Sequence, residues 1–92
     1  MSIANSVAVT SDAVVSAKGG RIGSVVLTPA AAVSTLILYD NASAASGTVL
    51  LSLQAAANGN SAIFAPTDAI AFSNGVYADI GGSGAAAYVN LV

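Results

Sequence analysis

The chain has 92 residues, of which 55% are hydrophobic and only 7% are charged, and its net charge at pH 7 is -2. A chain of this length holds one small domain around a single core. Cys and His are absent, so disulfides, soft-metal sites and thiolate or imidazole catalysis are excluded. The two cationic side chains are too few to neutralise a run of phosphates, and no nucleic-acid partner is expected.

Short runs rich in Val, Ile, Leu, Thr and Tyr recur along the chain, each closed by Gly, Asn, Asp, Ser or Pro. This rhythm is typical of sandwiches and barrels. The predicted strands are 6–10, 13–17, 21–28, 33–39, 48–54, 62–65, 69–73, 76–80 and 85–92. We therefore predict an all-β fold, a small β-sandwich or jelly-roll-like barrel of about eight short antiparallel strands. It forms a single domain over residues 1–92, with residues 1–5 as a candidate N-terminal arm.

Alternation within the predicted strands indicates which side chains face the core. The strand over 33–39 is the most hydrophobic and the best core candidate, with Leu36 and Leu38 on the face opposite to Thr35, Ile37 and Tyr39. In the strand over 48–54, Val49, Leu51 and Leu53 are predicted to face inward. The strand over 21–28 is apolar on both faces near its end, because Val26 lies between Val25 and Leu27, and this pattern predicts a strand covered on two sides. Asn74-Gly75 is the strongest hairpin signal in the chain.

Helix and membrane span are the rival interpretations. Alanine has the highest helix propensity, but the alanines here form short clusters, and without Glu the chain lacks the i,i+4 ion pairs of a solvated helix face. The uncharged stretch 22–39 approaches the length of a spanning helix. Because Pro29 divides it into two strand-length halves, we predict no membrane association.

Catalysis would require a base for one of the serines, and Lys18 is the only side-chain amine. In a Lys-Gly-Gly turn at the surface its ammonium stays protonated, which disfavours an enzyme. The aspartates are too scattered for a carboxylate pair or a calcium loop. We predict no catalytic, metal or cofactor-binding residue, and no cofactor.

Arg21 is the only guanidinium, and it begins an apolar strand. A solvated surface side chain is one interpretation. The alternative is a bidentate pair with Asp40, Asp68 or Asp79 within the chain or between subunits.

The three tyrosines also have two interpretations. In one, they are half-buried packing residues whose hydroxyl groups contact water. In the other, they form a patch on which sugars stack. The residues predicted to lie at an interface are Arg21, Tyr39, Asp40, Tyr77 and Asp79.

Assembly is the main physical prediction. A domain of this size buries only about 60–65% of the surface of its unfolded chain, so a chain this hydrophobic leaves apolar area exposed. Lys, Glu and Pro, which protect the edge strands of monomers, are scarce. The same surface becomes an interface in a homo-oligomer.

One run of residues carries a family resemblance. In 36–50, Leu-Ile-Leu-Tyr-Asp-Asn-Ala-Ser-Ala-Ala-Ser-Gly-Thr-Val-Leu, an aliphatic strand ends in Tyr-Asp-Asn and a Ser/Ala loop closes with Gly. Gly20-Arg21-Ile22 enters a strand before it, and Phe72-Ser73-Asn74-Gly75-Val76-Tyr77 follows it. Over about residues 13–92 this pattern resembles small structural proteins of tailed bacteriophages.

The resemblance implies a β-sandwich or jelly-roll virion protein without enzymatic activity. It implies a head decoration or cement protein that forms a homotrimer on the capsid surface and bridges subunits of the major capsid protein. Such a protein is made in the host cytoplasm and adds stability by burying surface across capsomer junctions. A phage tail or head-fibre adhesin domain that attaches to the host surface is the alternative.

Overall fold

A computed structural model describes residues 5–92 of the chain. Those residues form nine β-strands. In chain order these are β1 (Asn5–Val9), β2 (Ala13–Ser16), β3 (Gly20–Thr28), β4 (Ser34–Tyr39), β5 (Val49–Ala55), β6 (Ala62–Phe64), β7 (Ile70–Phe72), β8 (Val76–Gly81) and β9 (Ala86–Leu91). The described residues contain no helix long and apolar enough to cross a membrane.

The strands form two antiparallel sheets. Sheet A has the order β1-β9-β3-β6, with β7 also paired to β3, and sheet B has the order β2-β8-β4-β5. Strands β6 and β7 lie end to end along the same side of β3, beside Val25–Leu27 and Gly20–Ile22 respectively. Pro66 lies between them and has no N–H with which to continue the ladder.

The strand pairing is nested, as in a jelly roll. With β6 and β7 taken as one interrupted strand, the first strand pairs with the last and the second with the second to last. The third pairs with the sixth, and the fourth with the fifth. This double-sheet arrangement is that of jelly-roll domains. The predicted all-β fold is confirmed, and β6 and β7 correspond to the two strands predicted on either side of Pro66.

A single core lies between the two sheets. The largest fully buried side chains are Ile22, Leu27, Leu36, Leu38, Val25, Val76, Val89 and Ser34. They come from both sheets and alternate with outward residues, except that Gly23 is an extra residue between Ile22 and Ser24 in β3. The strand predicted as the best core candidate supplies two of them, Leu36 and Leu38.

The predicted inward orientation of Val49 is wrong. Leu38 is opposite Leu51 and Tyr39 is opposite Val49, so Leu50 is an extra residue in β5. Such a bulge interrupts the alternation of side chains. Val49 therefore lies on the outer face of sheet B, where it is 52% exposed.

The hairpin predicted at Asn74-Gly75 is also wrong. Strand β7 pairs with β3 in sheet A and β8 belongs to sheet B, so this turn carries the chain from one sheet to the other. Glycine is required at position 75 because a Cβ there would collide with the carbonyl oxygen of Ser16 and lie 3.0 Å from the Cα of Ala42.

The candidate N-terminal arm is only partly within the described residues. Residues 1–4 lie outside them, whereas Asn5 is opposite Leu91 in the first pair of β1 and β9. Asn5 is therefore the first residue of β1, and the rest of the predicted arm lies outside the described residues.

Candidate interaction surface

An apolar row crosses the outer face of sheet A. Ala8 is opposite Tyr88, Tyr88 is opposite Val26, and Val26 is opposite Ile63. The row therefore crosses four neighbouring strands, β1, β9, β3 and β6. The chain neighbours of these residues pack in or against the core, and alternation therefore directs the four side chains outward. We call Ala8, Tyr88, Val26 and Ile63 the sheet A row.

The sheet A row is exposed to solvent in the single chain. Ile63 is 68% exposed and Tyr88 is 44% exposed, Ala8 is also exposed, and Val26 is partly buried. An antiparallel sheet with one solvated face normally presents polar side chains there. An exposed apolar stripe that spans four strands is therefore a candidate contact surface.

The side chains on either side of the sheet A row are small and uncharged. Asn90 Nδ2 donates a hydrogen bond to Ser24 Oγ at 2.8 Å, and the hydroxyl oxygens of Thr28 and Ser61 are 3.1 Å apart. These polar groups satisfy one another across the strands, so covering them costs less than burying unpaired groups.

A second row crosses the outer face of sheet B. Val14 is opposite Tyr77, Tyr77 is opposite Tyr39, and Tyr39 is opposite Val49. The two valines are 43% and 52% exposed, and the two tyrosines are partly buried. We call Val14, Tyr77, Tyr39 and Val49 the sheet B row.

The predicted interface residues do not form one surface. Tyr39, Tyr77 and Asp79 lie together on the outer face of sheet B, with Asp79 opposite Ile37 in the next row. Arg21 is exposed opposite Ala71 on sheet A. Because the two sheets turn their outer faces away from each other, a pair between Arg21 and Asp79 requires a second molecule.

Asp40 follows the last residue of β4 and holds the turn between β7 and β8. Its Oδ1 accepts hydrogen bonds from the backbone N–H groups of Asn74 at 2.8 Å and Gly75 at 3.4 Å, and its Oδ2 accepts one from Ser73 at 3.2 Å. The bonds from Asn74 and Ser73 lower the pKa of Asp40 below its ordinary value, since they favour the charged form. Both oxygens of the carboxylate thus already accept hydrogen bonds within the chain.

Asn41 organises the loop that follows. Its Oδ1 accepts hydrogen bonds from the backbone N–H groups of Ser43 at 2.8 Å and Ala44 at 3.0 Å. Its Nδ2 donates to the backbone oxygen and the hydroxyl of Ser46, both at 3.2 Å. The Tyr-Asp-Asn run therefore places one tyrosine on the outer face of sheet B and uses its two polar residues to fix neighbouring loops.

The described residues offer flat faces and edges. Within 5–92 there is no detected cavity, and no group of three or more His, Cys, Asp or Glu is placed to hold a metal ion. Lys18 lies in an exposed turn where Ser16 Oγ donates a hydrogen bond to its carbonyl oxygen at 2.8 Å. Sheet faces that carry few charges suit contact with another protein surface.

Comparison with protein-family models, with curated proteins and with solved structures finds no match to this chain.

The sheet A row was missed in the sequence, although one signal pointed to it. Val26 is apolar where the alternation of apolar and polar residues would place a polar one, between the buried Val25 and Leu27. That pattern predicts a strand covered on two sides. The outer side of Val26 is not covered by either sheet of the chain. The other members of the row could be found only once the strand registers were known, because they come from three different strands.

Proposed function

We propose that this protein is a non-enzymatic structural subunit that assembles into a homo-oligomer and stabilises a larger particle through its sheet faces. The observation that carries the proposal is the sheet A row, an apolar stripe that spans a whole sheet without a charged member. Its polar neighbours are already paired with one another.

The energetics favour contact over the whole face. Fully burying one aliphatic side chain contributes about 1.5–3 kcal/mol, whereas association costs about 4–15 kcal/mol in lost translational and rotational freedom. Several members of the sheet A row must therefore be covered together. A flat partner surface placed on the sheet does this, because the row runs straight across the strands.

The proposed setting is a phage particle, with the protein as a capsid decoration or cement protein on the virion surface that bridges subunits of the major capsid protein. The sequence resemblance supports this setting and implies a trimer. Two of its three segments, 36–50 and 72–77, are joined in the fold by the hydrogen bonds from Ser73, Asn74 and Gly75 to Asp40, and the third, 20–22, pairs with β7. The resemblance thus falls on one structural unit.

An adhesin domain of a tail or head fibre is the second candidate. Tyr39 and Tyr77 are directly opposite each other on the outer face of sheet B, and neighbouring aromatic rings are a common platform for sugars. This candidate predicts that the protein binds host glycans and that Tyr39→Ala or Tyr77→Ala abolishes binding.

Two variants of the sheet A row test assembly. Ile63→Lys and Tyr88→Lys place a charge within the row, and each is expected to reduce self-association while the circular dichroism spectrum of the fold stays unchanged. Thr67→Lys adds the same charge to the exposed loop between β6 and β7 and is the matched control. A wild-type protein that is monomeric at every concentration, and lacks affinity for purified capsids, would contradict the proposal.

Mass spectrometry and electron cryo-microscopy of purified particles test the setting. Hundreds of copies in threefold clusters on the shell are expected for a decoration protein. A few copies at the tail or a fibre would favour the adhesin instead, and absence from the particles would reject both.

A further inference from the structure

We propose that β5 is a sheet-extension site for the β5 strand of a second copy of this chain. Antiparallel pairing of the two strands around a twofold axis would join two copies of sheet B into one eight-stranded sheet. The inference rests on the proposed function, since it names one contact through which the subunit assembles.

Strand β5 is an edge strand with an unguarded backbone. It pairs with β4 on one side, and among residues 5–92 no further strand pairs with its other side. Its seven residues, Val-Leu-Leu-Ser-Leu-Gln-Ala, include neither a charge nor a proline. A long, uncharged edge presents free N–H and C=O groups to any strand that can align with it.

The other edge strands in the described part of the chain are shorter. Strand β2 has four residues and a register shift between Val14 and Ser16. Strands β6 and β7 have three residues each and are separated by Pro66. Strand β1 has five. With seven residues, β5 is thus the longest edge strand in the described part of the chain.

The inward side chains of β5 are incompletely covered. Leu51 and Leu53 are opposite Leu38 and Leu36, which are fully buried. Leu51 and Leu53 themselves are only partly buried, although they pack against the same core. An additional strand next to β5 would cover both leucines. The burial of their apolar surface would then stabilise the contact in addition to the new backbone hydrogen bonds.

The bulge at Leu50 limits the regular part of β5 to the five residues 51–55. A twofold axis at Leu53, the middle of that segment, places Leu53 opposite Leu53 of the second copy and Leu51 opposite its Ala55. These pairs face the core side. Ser52 then lies opposite Gln54 of the second copy on the outer side, and the pair occurs twice.

This register makes the strand complementary to itself. Apolar side chains meet on the inner side, uncharged polar side chains meet on the outer side, and no like charges are opposed. A second copy therefore fits without any other partner. Because the contact is isologous it cannot lie within a threefold ring, so it forms dimers or joins trimers in pairs.

Charge substitutions at the outer pair test both the contact and its register. Ser52→Lys/Gln54→Lys and Ser52→Glu/Gln54→Glu each oppose like charges twice, and each is expected to raise the dissociation constant by about tenfold or more. Ser52→Lys/Gln54→Glu opposes unlike charges and is expected to retain assembly. Mixing the double-lysine variant with the double-glutamate variant should restore assembly, because each lysine then lies opposite a glutamate. Thr67→Lys/Ser83→Lys, away from the edge, is the control for added charge.

Cross-linking tests the same register directly. The chain has no cysteine, so Ser52→Cys and Gln54→Cys introduce single thiols. Mixed under mild oxidation, the two variants are expected to form a disulfide with each other faster than either forms one with itself, because directly opposed residues lie closer than diagonal ones. Equal rates for all pairs would overturn the register.

Sedimentation equilibrium distinguishes failure of this inference from failure of the proposed function. If the inference holds, Ser52→Lys/Gln54→Lys halves the number of chains in the oligomer. An oligomer that keeps its full mass in this variant but dissociates in Ile63→Lys would reject the β5 contact and leave the assembly proposal standing. A discrete wild-type trimer would also reject the β5 contact, and a wild-type monomer without affinity for capsids would reject both.

Discussion

The carboxylate of Asp40 accepts a hydrogen bond from the backbone N–H of Asn74 at 2.8 Å, across 34 residues of chain. It connects the loop after β4 in sheet B to the turn through which the chain leaves sheet A. Similar bonds from Ser73 and Gly75 surround it. One side chain therefore fixes one of the connections between the two sheets, close to the sheet B row.

Protonation of Asp40 is expected to destabilise the fold in acid. Because its pKa is lowered in the folded protein, the unfolded chain takes up this proton at a higher pH than the folded one. The stabilisation is complete above the ordinary pKa of 3.8 and is lost as the pH falls from there through the lowered pKa. Thermal unfolding followed by circular dichroism should show this fall in the melting temperature.

Asp40→Asn is expected to lower the melting temperature at pH 7 and to reduce its further decline in acid, because the variant has no carboxylate at this position to protonate. Asp68→Asn makes the same charge change in the exposed loop between β6 and β7 and separates the local effect from that of net charge. Identical pH profiles for Asp40→Asn and the wild type would count against this role of Asp40.

Gly75→Ala is expected to be strongly destabilising. Its Cβ would meet the carbonyl oxygen of Ser16 and the Cα of Ala42, and both are backbone atoms that cannot move away independently. Gly47→Ala is a useful comparison, because that residue has φ +91° but its nearest neighbour, the backbone oxygen of Asp40, is 4.0 Å away. There we expect only the conformational cost, about 1–2 kcal/mol. Urea unfolding of the two variants would reveal the difference, and equal losses would contradict it.

Asn41 offers a graded test of the loop over residues 41–47. Asn41→Asp keeps the acceptor for the N–H groups of Ser43 and Ala44 but removes the donor to Ser46, whereas Asn41→Ala removes both. Amide hydrogen exchange at Ser43 and Ala44 should remain slow in Asn41→Asp and become faster in Asn41→Ala. Equal exchange in both variants would show that the side-chain acceptor does not order the loop.

Leu38→Ala tests the core beneath the sheet B row. Leu38 is fully buried, and a Leu→Ala change at such a site costs about 2–5 kcal/mol through lost burial and the cavity left behind. Val33→Ala, at a residue that is 50% exposed, is the control and should change the free energy of unfolding by far less. Comparable losses in the two variants would contradict the core assignment.

Local chemistry in the sequence predicted the class of fold and much of its core. Leu36 and Leu38 alternate with Thr35 and Ile37, and this alternation is enough to put the two leucines on one face of a hydrophobic strand. Glycine, asparagine and proline mark the strand ends for reasons that depend on a few neighbouring atoms. These features need no knowledge of distant parts of the chain.

The features that the sequence did not predict depend on pairing between distant segments. Nothing in the residue types around Leu50 marks it as a bulge, so Val49 was placed inward. Asn74-Gly75 looks like a hairpin because the strands on both sides are short and apolar, and only the pairing of β7 with β3 sends them to different sheets. The sheet A row likewise requires three registers to be known at once.

Sedimentation equilibrium of the wild-type protein beside Ile63→Lys and Thr67→Lys tests whether the sheet A row is an assembly contact. We expect the wild type and Thr67→Lys to reach a mass that is a whole multiple of 8.8 kDa, whereas Ile63→Lys should be folded but shifted towards the single chain. A mass of 8.8 kDa for all three proteins across the accessible concentrations, or an oligomer unaffected by Ile63→Lys, would contradict assembly through the sheet A row.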